Sequence, residues 1–136
     1  MTQWLLKTEP TVYGWDDLVR EKRTVWDGIK NALALIHLRA AAAGDEALIY
    51  HTGKERRVVG IARIAKPPYP DPKRDDPKLV VVDIVPVRAL TTPVTLAQIK
   101  SDPFFEGWDL LRMSRLSFMP VPEPIWEKIL KLSAGR

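Results

Sequence analysis

The sequence contains no cysteine, which excludes disulfide bonds, thiolate metal ligands and a cysteine nucleophile. Histidine occurs only twice, at His37 and His51, and neither has a second histidine at the spacing of a transition-metal site. Seven glycines are present, but they form no phosphate loop, and no Gly-x-Ser-x-Gly nucleophile motif occurs. We therefore expect no metal and no cofactor, and these motifs give no support for an enzyme.

Long apolar runs are also lacking. The longest one, around residues 40–43, is far shorter than the roughly 20 apolar residues that span a membrane. Residues 1–7 contain no basic leader followed by a long apolar stretch, which would be typical of a signal peptide. We expect no membrane contact and a location in the cytoplasm.

Neither sign of charge is in large excess. The 136 residues carry 21 Lys and Arg against 17 Asp and Glu, so the net charge is +4. This balance permits an anionic partner but does not require one. With 46% hydrophobic and 28% charged residues, the composition is typical of a single globular domain, which we place at residues 1–136.

The apolar and turn patterns predict short strands mixed with helices. Strand patterns occur at residues 3–7, 24–26, 46–51, 57–65, 79–87 and 115–121, and helical patterns occur at residues 16–20, 31–43, 93–100 and 123–132. In the second helix, Asn31 is the predicted N-cap and Gly44 the residue that ends the helix. The proline-dense segment 67–77 is predicted to be a surface loop.

The order of these elements indicates the fold class. Segments 46–51 and 57–65 flank a short charged turn and predict an antiparallel hairpin, in which Gly60 marks a bulge or a close approach of the backbone. Strands and helices do not alternate strictly, which disfavours a doubly wound parallel sheet. We therefore expect an α+β fold with a small barrel-like sheet of about five strands and three or four flanking helices.

One of the five tryptophans stands in a context that differs from the others. Trp26 directly precedes the turn dipeptide Asp27-Gly28, and Lys30 and Asn31 follow. A tryptophan on a loop beside an amide and a cation is suited to stacking on a planar ring. Burial in the core is the commoner fate of tryptophan. Both interpretations stay open at this point.

Basic residues cluster at positions 54–57, at 63 and 66, and at 112 and 115. Ordinary solvated charge accounts for each cluster taken alone. Acidic residues at positions 71, 75 and 76 bring the sum close to neutral. An anionic partner would therefore have to use one face of the protein.

The chain as a whole resembles a known family. The segments that carry the resemblance are WLLKTEP at 4–10, WDGIKN at 26–31, GD at 44–45 with YH at 50–51, VGIA at 59–62, YPD at 69–71 and RLS at 115–117. In this order they are similar to the EVE domain family over about residues 2–132. The resemblance implies a PUA-like fold, a compact β-barrel with helices around it that YTH domains share.

The resemblance also implies a function, the reading of a modified nucleobase, such as a modified cytosine, in an aromatic pocket. Trp26 would stack on the base, and Ser117 would lie near the floor or rim of the pocket. The full set of implied ligand-binding residues is Trp26, Gly28, Lys30, Asn31, Tyr50, His51 and Ser117.

The partner implied is DNA or RNA that contains a modified base. A pocket that buries one base needs that base unstacked, so a single-stranded or locally opened substrate is favoured. The predicted contacts to the nucleic-acid backbone are Lys54, Arg56, Arg112 and Arg115, which would position the strand without reading its sequence. We expect the protein to act as a monomer.

The alternative is a small enzyme. Some PUA-like relatives of the ASCH type resemble amidohydrolases that act on modified nucleosides with a lysine, a threonine and a glutamate. Lys7, Thr8 and Glu9 are adjacent here. Consecutive side chains on a strand point to opposite faces, so these three are not expected to converge. We therefore favour a binding module over an enzyme.

Overall fold

The apolar segments of the sequence form one six-stranded sheet in the computed structural model, which describes residues 2–135. The strands are β1 (Gln3–Thr8), β2 (Thr24–Trp26), β3 (Glu46–His51), β4 (Arg57–Pro70), β5 (Val80–Thr95) and β6 (Phe118–Pro120). The helices are α1 (Trp15–Glu21), α2 (Ala32–Arg39), α3 (Leu96–Ser101), α4 (Asp109–Arg112) and α5 (Glu123–Ser133), with a 3-10 turn at Pro103–Phe105.

The sheet is mixed and curled into a half-barrel, with the strand order β2-β5-β4-β3-β1-β6. β1 pairs with β3 in parallel, and the other neighbouring pairs are antiparallel. Helix α2 packs against both β5 and β6, which lie towards opposite edges of the sheet. The predicted α+β fold is confirmed, with six strands where about five were expected.

The predicted hairpin is confirmed as the centre of this sheet. β3 and β4 pair antiparallel from Glu46 opposite Arg63 to His51 opposite Arg57. β5 pairs with the other side of β4. The helices predicted at residues 16–20 and 123–132 are also present, each within one residue of its predicted ends.

Helix α2 begins as predicted but ends earlier. Asn31 is its N-cap, and the side-chain oxygen of Asn31 accepts a hydrogen bond from the Ala34 N–H at 3.0 Å. The helix ends at Arg39, so the prediction that it runs to residue 43 is wrong. Gly44 has a left-handed φ of +92° but lies beyond the helix.

A buried carboxylate accounts for this early end. Asp45 accepts hydrogen bonds from the Ala42 N–H at 2.9 Å and from the indole N–H of Trp4 at 3.0 Å. These contacts hold residues 40–45 as a turn that leads into β3. Trp4 lies on β1 and is distant in sequence from α2. The helical pattern of residues 31–43 therefore gives no indication of this hydrogen bond.

The proline-dense segment is the second correction. It was predicted to be a loop from residue 67, but β4 continues to Pro70, which lies opposite Val80. The register of β4 against β5 shifts twice beyond Ile64, and the pairing of β4 with β3 ends at Arg63. Prolines are tolerated at bulges and where one side of a strand has lost its ladder. The loop proper begins at residue 71.

Two further boundaries differ from the prediction. β5 continues to Thr95, so the helix expected from residue 93 begins at Leu96, where Thr95 and Gln98 form a capping box. The last strand is shorter than predicted and spans Phe118–Pro120. The 3-10 turn and α4 were not predicted. No helix within residues 2–135 has the length and apolar character needed to cross a membrane.

Gly60 is a point of close approach, as predicted. A Cβ atom at this position would lie 2.6 Å from the ring of Trp15, the first residue of α1. The register of β4 against β5 also shifts between Val58 and Gly60. The missing side chain therefore lets α1 pack directly on the hairpin.

We expect Gly60→Ala to lower the free energy of unfolding by about 1–3 kcal/mol, because the added methyl group forces the Trp15 ring to move. Urea unfolding of the wild type and the variant measures this. In a Trp15→Leu background the same substitution should cost less, since the two changes share one contact. An equal loss of unfolding free energy in both backgrounds would show that the added methyl group does not act through the Trp15 ring.

Candidate functional site

A cavity of about 930 Å³ lies beside β2, one edge strand of the sheet. Its walls come from the end of β1, the turn before α1, β2 with the residues after it, the loop at 71–73, and Ser117 ahead of β6. Pockets for small ligands span roughly 300–1,000 Å³, so the volume is sufficient for a nucleobase.

Two aromatic rings form one wall of this cavity. Trp26 and Tyr13 meet edge to face, with ring centroids 5.9 Å apart and an interplanar angle of 82°. Trp26 is only 9% exposed and belongs to the hydrophobic core. Trp26 therefore has the core burial that one of the two interpretations predicts, and it also lines the cavity.

The Tyr13 hydroxyl is held in a fixed direction. It donates a hydrogen bond to Glu21 at 2.7 Å. Burial raises the pKa of Tyr13 to about 12, and the neighbouring Glu21 carboxylate adds to the increase. The phenol thus stays protonated at physiological pH and presents its ring, rather than a charge, to the cavity. No local pattern marks Tyr13 as a site residue, because its partner Trp26 lies 13 residues away.

Other residues that line the cavity come from β1 and the segment before β6. The Lys7 ammonium donates a hydrogen bond to the Ser114 carbonyl at 2.9 Å, and partial burial lowers the pKa of Lys7. The backbone N–H of Lys7 donates to the Ser117 carbonyl at 2.9 Å. These hydrogen bonds connect Lys7 to the segment that contains Ser117, and both residues line the cavity.

A second polar group is centred on Asp83 of β5, which lies opposite Val25 of β2. Arg23 donates two hydrogen bonds to one oxygen of Asp83, at 2.9 and 3.2 Å, and the hydroxyl of Tyr69 donates to the other oxygen. Burial opposes the charged form of Asp83, yet the hydrogen bonds from Tyr69 and Arg23 together outweigh burial and lower its pKa. Arg23 and Asp83 both line the cavity.

Of the predicted ligand-binding residues, the cavity brings together Trp26, Gly28 and Ser117. The other four lie outside its lining. Asn31 uses its side-chain oxygen to cap α2, and Lys30 is exposed on the segment before it.

The remaining two lie in the core at the end of β3. Tyr50 is buried, and its ring centroid lies 6.0 Å from the Lys7 ammonium. The Nε2 atom of His51 accepts the backbone N–H of Trp15 at 3.0 Å, and Nδ1 lies 2.8 Å from a Glu55 oxygen. The His51 ring thus joins β3 to the start of α1.

The predicted backbone-binding residues lie away from the cavity walls. Lys54 and Arg56 occupy the tip of the β3–β4 hairpin, beside Lys100 of α3. Arg112 pairs with Asp109 in α4. The hairpin tip begins next to the cavity, because the Thr52 hydroxyl lies 3.3 Å from the Glu9 carboxylate, which lines it. Arg115 is exposed two residues before Ser117.

The three residues of the alternative enzyme, Lys7, Thr8 and Glu9, all line the cavity, contrary to the expectation from strand alternation. Glu9 lies beyond the end of β1 at Thr8. Each is already engaged elsewhere. Lys7 bonds the Ser114 carbonyl, Thr8 donates to the Tyr13 carbonyl at 2.6 Å, and Glu9 accepts from Thr11 and Thr52. Within residues 2–135, no hydrogen bond joins the three side chains to one another.

The pKa of Asp83 leads to a prediction about acid stability. A carboxyl whose pKa is lower in the folded than in the unfolded protein, where it is about 3.9, stabilises the fold above that pH. The contribution is lost as the pH falls through the lower folded value. The difference in unfolding free energy between the wild type and Asp83→Asn should therefore shrink as the pH falls from about 6 to 2.5.

Denaturant unfolding across this pH range is the measurement, with Asp75→Asn as the control. Asp75 is an exposed carboxylate of the 71–79 loop. Its replacement should change stability little at any pH. A difference for Asp83→Asn that does not vary with pH would contradict the assignment.

Comparison with known proteins shows similarity over the full length. The protein Rpa0253 of Rhodopseudomonas palustris, solved by NMR, is 38% identical with a TM-score of 0.93, covering 98% of this chain and 94% of that chain. Human thymocyte nuclear protein 1 is 30% identical over 166 residues, which cover 96% of this chain and 73% of the human protein.

Two structures of complexes share the fold. The crystal structure of human THYN1 with DNA that contains 5-methylcytosine is 29% identical, with a TM-score of 0.91 and 98% of each chain covered. The YTH domain of Zygosaccharomyces rouxii MRB1, solved with N6-methyladenosine RNA, covers 97% of this chain and 86% of that chain. At 16% identity and a TM-score of 0.59, it shows a likeness of fold alone. These likenesses confirm the predicted PUA-like fold.

The family itself follows from a match of almost the whole chain. The model of the EVE domain matches residues 2–132, the range over which the sequence motifs carry the resemblance. The chain belongs to the EVE domain family.

Proposed function

We propose that this protein is a nucleic-acid-binding module that holds a modified nucleobase in the cavity beside β2, and that it is not an enzyme. The observation that carries the proposal is the aromatic wall of Trp26 and Tyr13 in a cavity of about 930 Å³. The human relative solved with 5-methylcytosine DNA supports it and makes a modified cytosine the first base to test.

The aromatic wall supplies the binding energy. Stacking of one base on an aromatic side chain contributes about 1–3 kcal/mol. Because Trp26 packs on the core and against the edge of Tyr13, its ring is fixed before the base arrives. A preorganised ring loses little conformational entropy on binding.

The polar and apolar groups around this wall supply the selectivity. Ser117 has a hydroxyl that can both donate and accept, and Lys7 can only donate. Both line the cavity, so both can meet the edge of a base. The apolar side chains of Val12 and Ile29 also line it, and they offer contact to a methyl substituent, whose burial contributes about 0.8 kcal/mol.

The four predicted ligand-binding residues outside the cavity take a supporting role in this proposal. Asn31 fixes the start of α2 and with it the segment that holds Gly28 and Lys30. His51 fixes the start of α1 just after Tyr13, while Tyr50 packs in the core near Lys7.

In this proposal the strand that carries the base extends from the cavity to basic residues beyond its walls. Lys54, Arg56, Arg112 and Arg115 would contact phosphates and set the position of the strand. Action as a monomer and a location in the cytoplasm stay predictions.

We expect Trp26→Leu to weaken binding of an oligonucleotide with one 5-methylcytosine by about 5- to 150-fold, the loss of one stacked base. Leucine fills part of the space in the core but has no aromatic face. Trp26→Phe should restore part of the affinity. Fluorescence anisotropy with a labelled single strand measures the dissociation constants, and urea unfolding measures the stability of each variant.

The matched control is Trp126→Leu. Trp126 is a buried tryptophan of α5 that does not line the cavity, so its replacement should cost stability without changing the affinity of the folded protein. If both leucine variants bind as tightly as the wild type, Trp26 does not contact the base. If both lose affinity in step with stability, the effect of Trp26 is one of folding.

Salt dependence tests the backbone contacts. If three or four phosphates are contacted, the slope of log K against log salt should be about −2 to −3 for a single strand. Arg56→Gln should reduce the magnitude of the slope by about 0.7, whereas Lys131→Gln, an exposed change on α5, should leave it unchanged. Affinity that does not vary with salt would mean that the ligand is a free base or nucleoside.

A further inference from the structure

The His51 ring supplies a hydrogen-bond acceptor at the start of helix α1. Gly14 is the N-cap of α1, and a glycine has no side chain that could accept a hydrogen bond from the first turn. The acceptor comes from β3 instead, because Nε2 of His51 accepts the backbone N–H of Trp15 at 3.0 Å. The imidazole thus takes the place of a capping side chain, although it lies 36 residues further along the chain.

This contact determines which nitrogen of the neutral ring carries the proton. A neutral imidazole has one N–H, and the nitrogen without it is the acceptor. Because Nε2 accepts from Trp15, the proton of the neutral ring is on Nδ1, which donates to a Glu55 oxygen 2.8 Å away. His51 is only 8% exposed, so little water reaches either nitrogen.

A second proton on the His51 ring removes the acceptor. In the imidazolium both nitrogens are donors, so an Nε2–H would face the Trp15 N–H across 3.0 Å. A buried backbone N–H without an acceptor is unfavourable. The positive charge would also lie at the N-terminal end of α1, where the helix dipole disfavours it. Protonation of His51 therefore favours separation of the ring from the start of α1.

Charged groups of both signs lie around the ring. The nearest is Glu55, whose pKa is lowered chiefly by the hydrogen bond from His51. It is therefore ionised between about pH 5 and 8, where histidine side chains ordinarily change charge, and it can keep the protonated ring on the β3–β4 hairpin. The others lie on the turn before α1, in the first turn of α1 and on the hairpin: Glu9, Asp16, Asp17, Arg56 and Arg57.

Tyr13 connects the start of α1 to the cavity. It lies two residues before Trp15, and its hydroxyl donates to Glu21, the last residue of α1, at 2.7 Å. The Tyr13 ring packs edge to face on Trp26 and forms the aromatic wall with it. A shift of α1 away from His51 therefore moves the Tyr13 side of the wall.

We propose that His51 is a pH-dependent positioning residue: the neutral ring holds α1 against β3, and the protonated ring releases α1 and loosens the aromatic wall. The inference adds regulation by pH to the cavity, and its effect on binding rests on the proposed function. His51 acts here through α1 and Tyr13 and not by contact with the base.

Hydrogen exchange of the Trp15 amide, followed by NMR, tests the inference in the free protein. The protection factor, which is corrected for the pH dependence of intrinsic exchange, should fall about 2- to 10-fold from pH 7.5 to pH 5.5, the effect of one lost hydrogen bond. In His51→Gln it should be the same at both pH values, because the glutamine oxygen can accept the Trp15 N–H and takes up no proton.

His37→Gln is the matched control, since His37 is the only other histidine of the chain and lies on α2. It should show the same fall in protection as the wild type. Glu55→Gln gives a second test that does not depend on the folding of His51→Gln. Without the carboxylate charge the imidazolium is less stable, so the fall in protection should begin at a lower pH.

Binding of a single-stranded oligonucleotide with one 5-methylcytosine measures the effect on the cavity. The dissociation constant of the wild type should rise about 2- to 10-fold from pH 7.5 to pH 5.5. His51→Gln should bind like the wild type at pH 7.5 and equally well at pH 5.5, whereas His37→Gln should follow the wild type. A histidine that contacted a phosphate would give the opposite sign, because its positive charge would strengthen binding in acid.

The outcomes separate this inference from the proposed function. A Trp15 protection factor that does not fall in the wild type, or falls equally in His51→Gln, would overturn the inference. A fall in Glu55→Gln at the same pH as in the wild type would also overturn it, as would an affinity that is unchanged or higher in acid. If the oligonucleotide does not bind at either pH, the proposed function fails, and the protection factors alone decide whether His51 controls α1.

Discussion

The parallel pairing of β1 with β3 is the constraint on which the rest of the structure depends. It aligns the two strands from Gln3 beside Glu46 to Thr8 beside His51, so the carboxyl ends of both strands lie at the same end of the sheet. The Thr52 N–H continues the alignment by donating to the Thr8 carbonyl at 2.9 Å. The turn before α1 and the tip of the β3–β4 hairpin consequently meet at this end of the sheet. The cavity forms where the turn before α1 faces β2.

Under the proposed function, stability and recognition are coupled in the aromatic wall. Trp26 contributes to the core and lines the cavity with the same ring, so its orientation is determined by packing rather than by the ligand. On the neighbouring strand β5, hydrogen bonds from Arg23 and Tyr69 likewise hold the Asp83 carboxylate in a fixed orientation. A wall whose side chains already have partners loses little entropy when a ligand binds. Any change to these side chains therefore affects folding as well as binding.

The sequence predicts what depends on local pattern and misses what depends on distant contacts. The β3–β4 hairpin and the start of α2 at Asn31 follow from periodicity and capping, and both are present. The end of α2 depends on the bond between Asp45 and Trp4, and the strand through Pro70 depends on its pairing with Val80. In the site, Trp26 could be selected because a turn follows it directly. Tyr13 could not, since only the folded chain brings the two rings together.

The two edge strands of the half-barrel are each three residues long, β2 at Thr24–Trp26 and β6 at Phe118–Pro120. Long exposed edges invite pairing with another sheet, and short strands or a proline at the edge prevent it. A closed barrel has no edge strands, whereas in this half-barrel the short length of the two edge strands serves the same purpose. The sheet can thus stay open at β2 without becoming a template for aggregation. Under the proposed function, that opening lets a planar base enter beside the strand instead of having to pass through the end of a barrel.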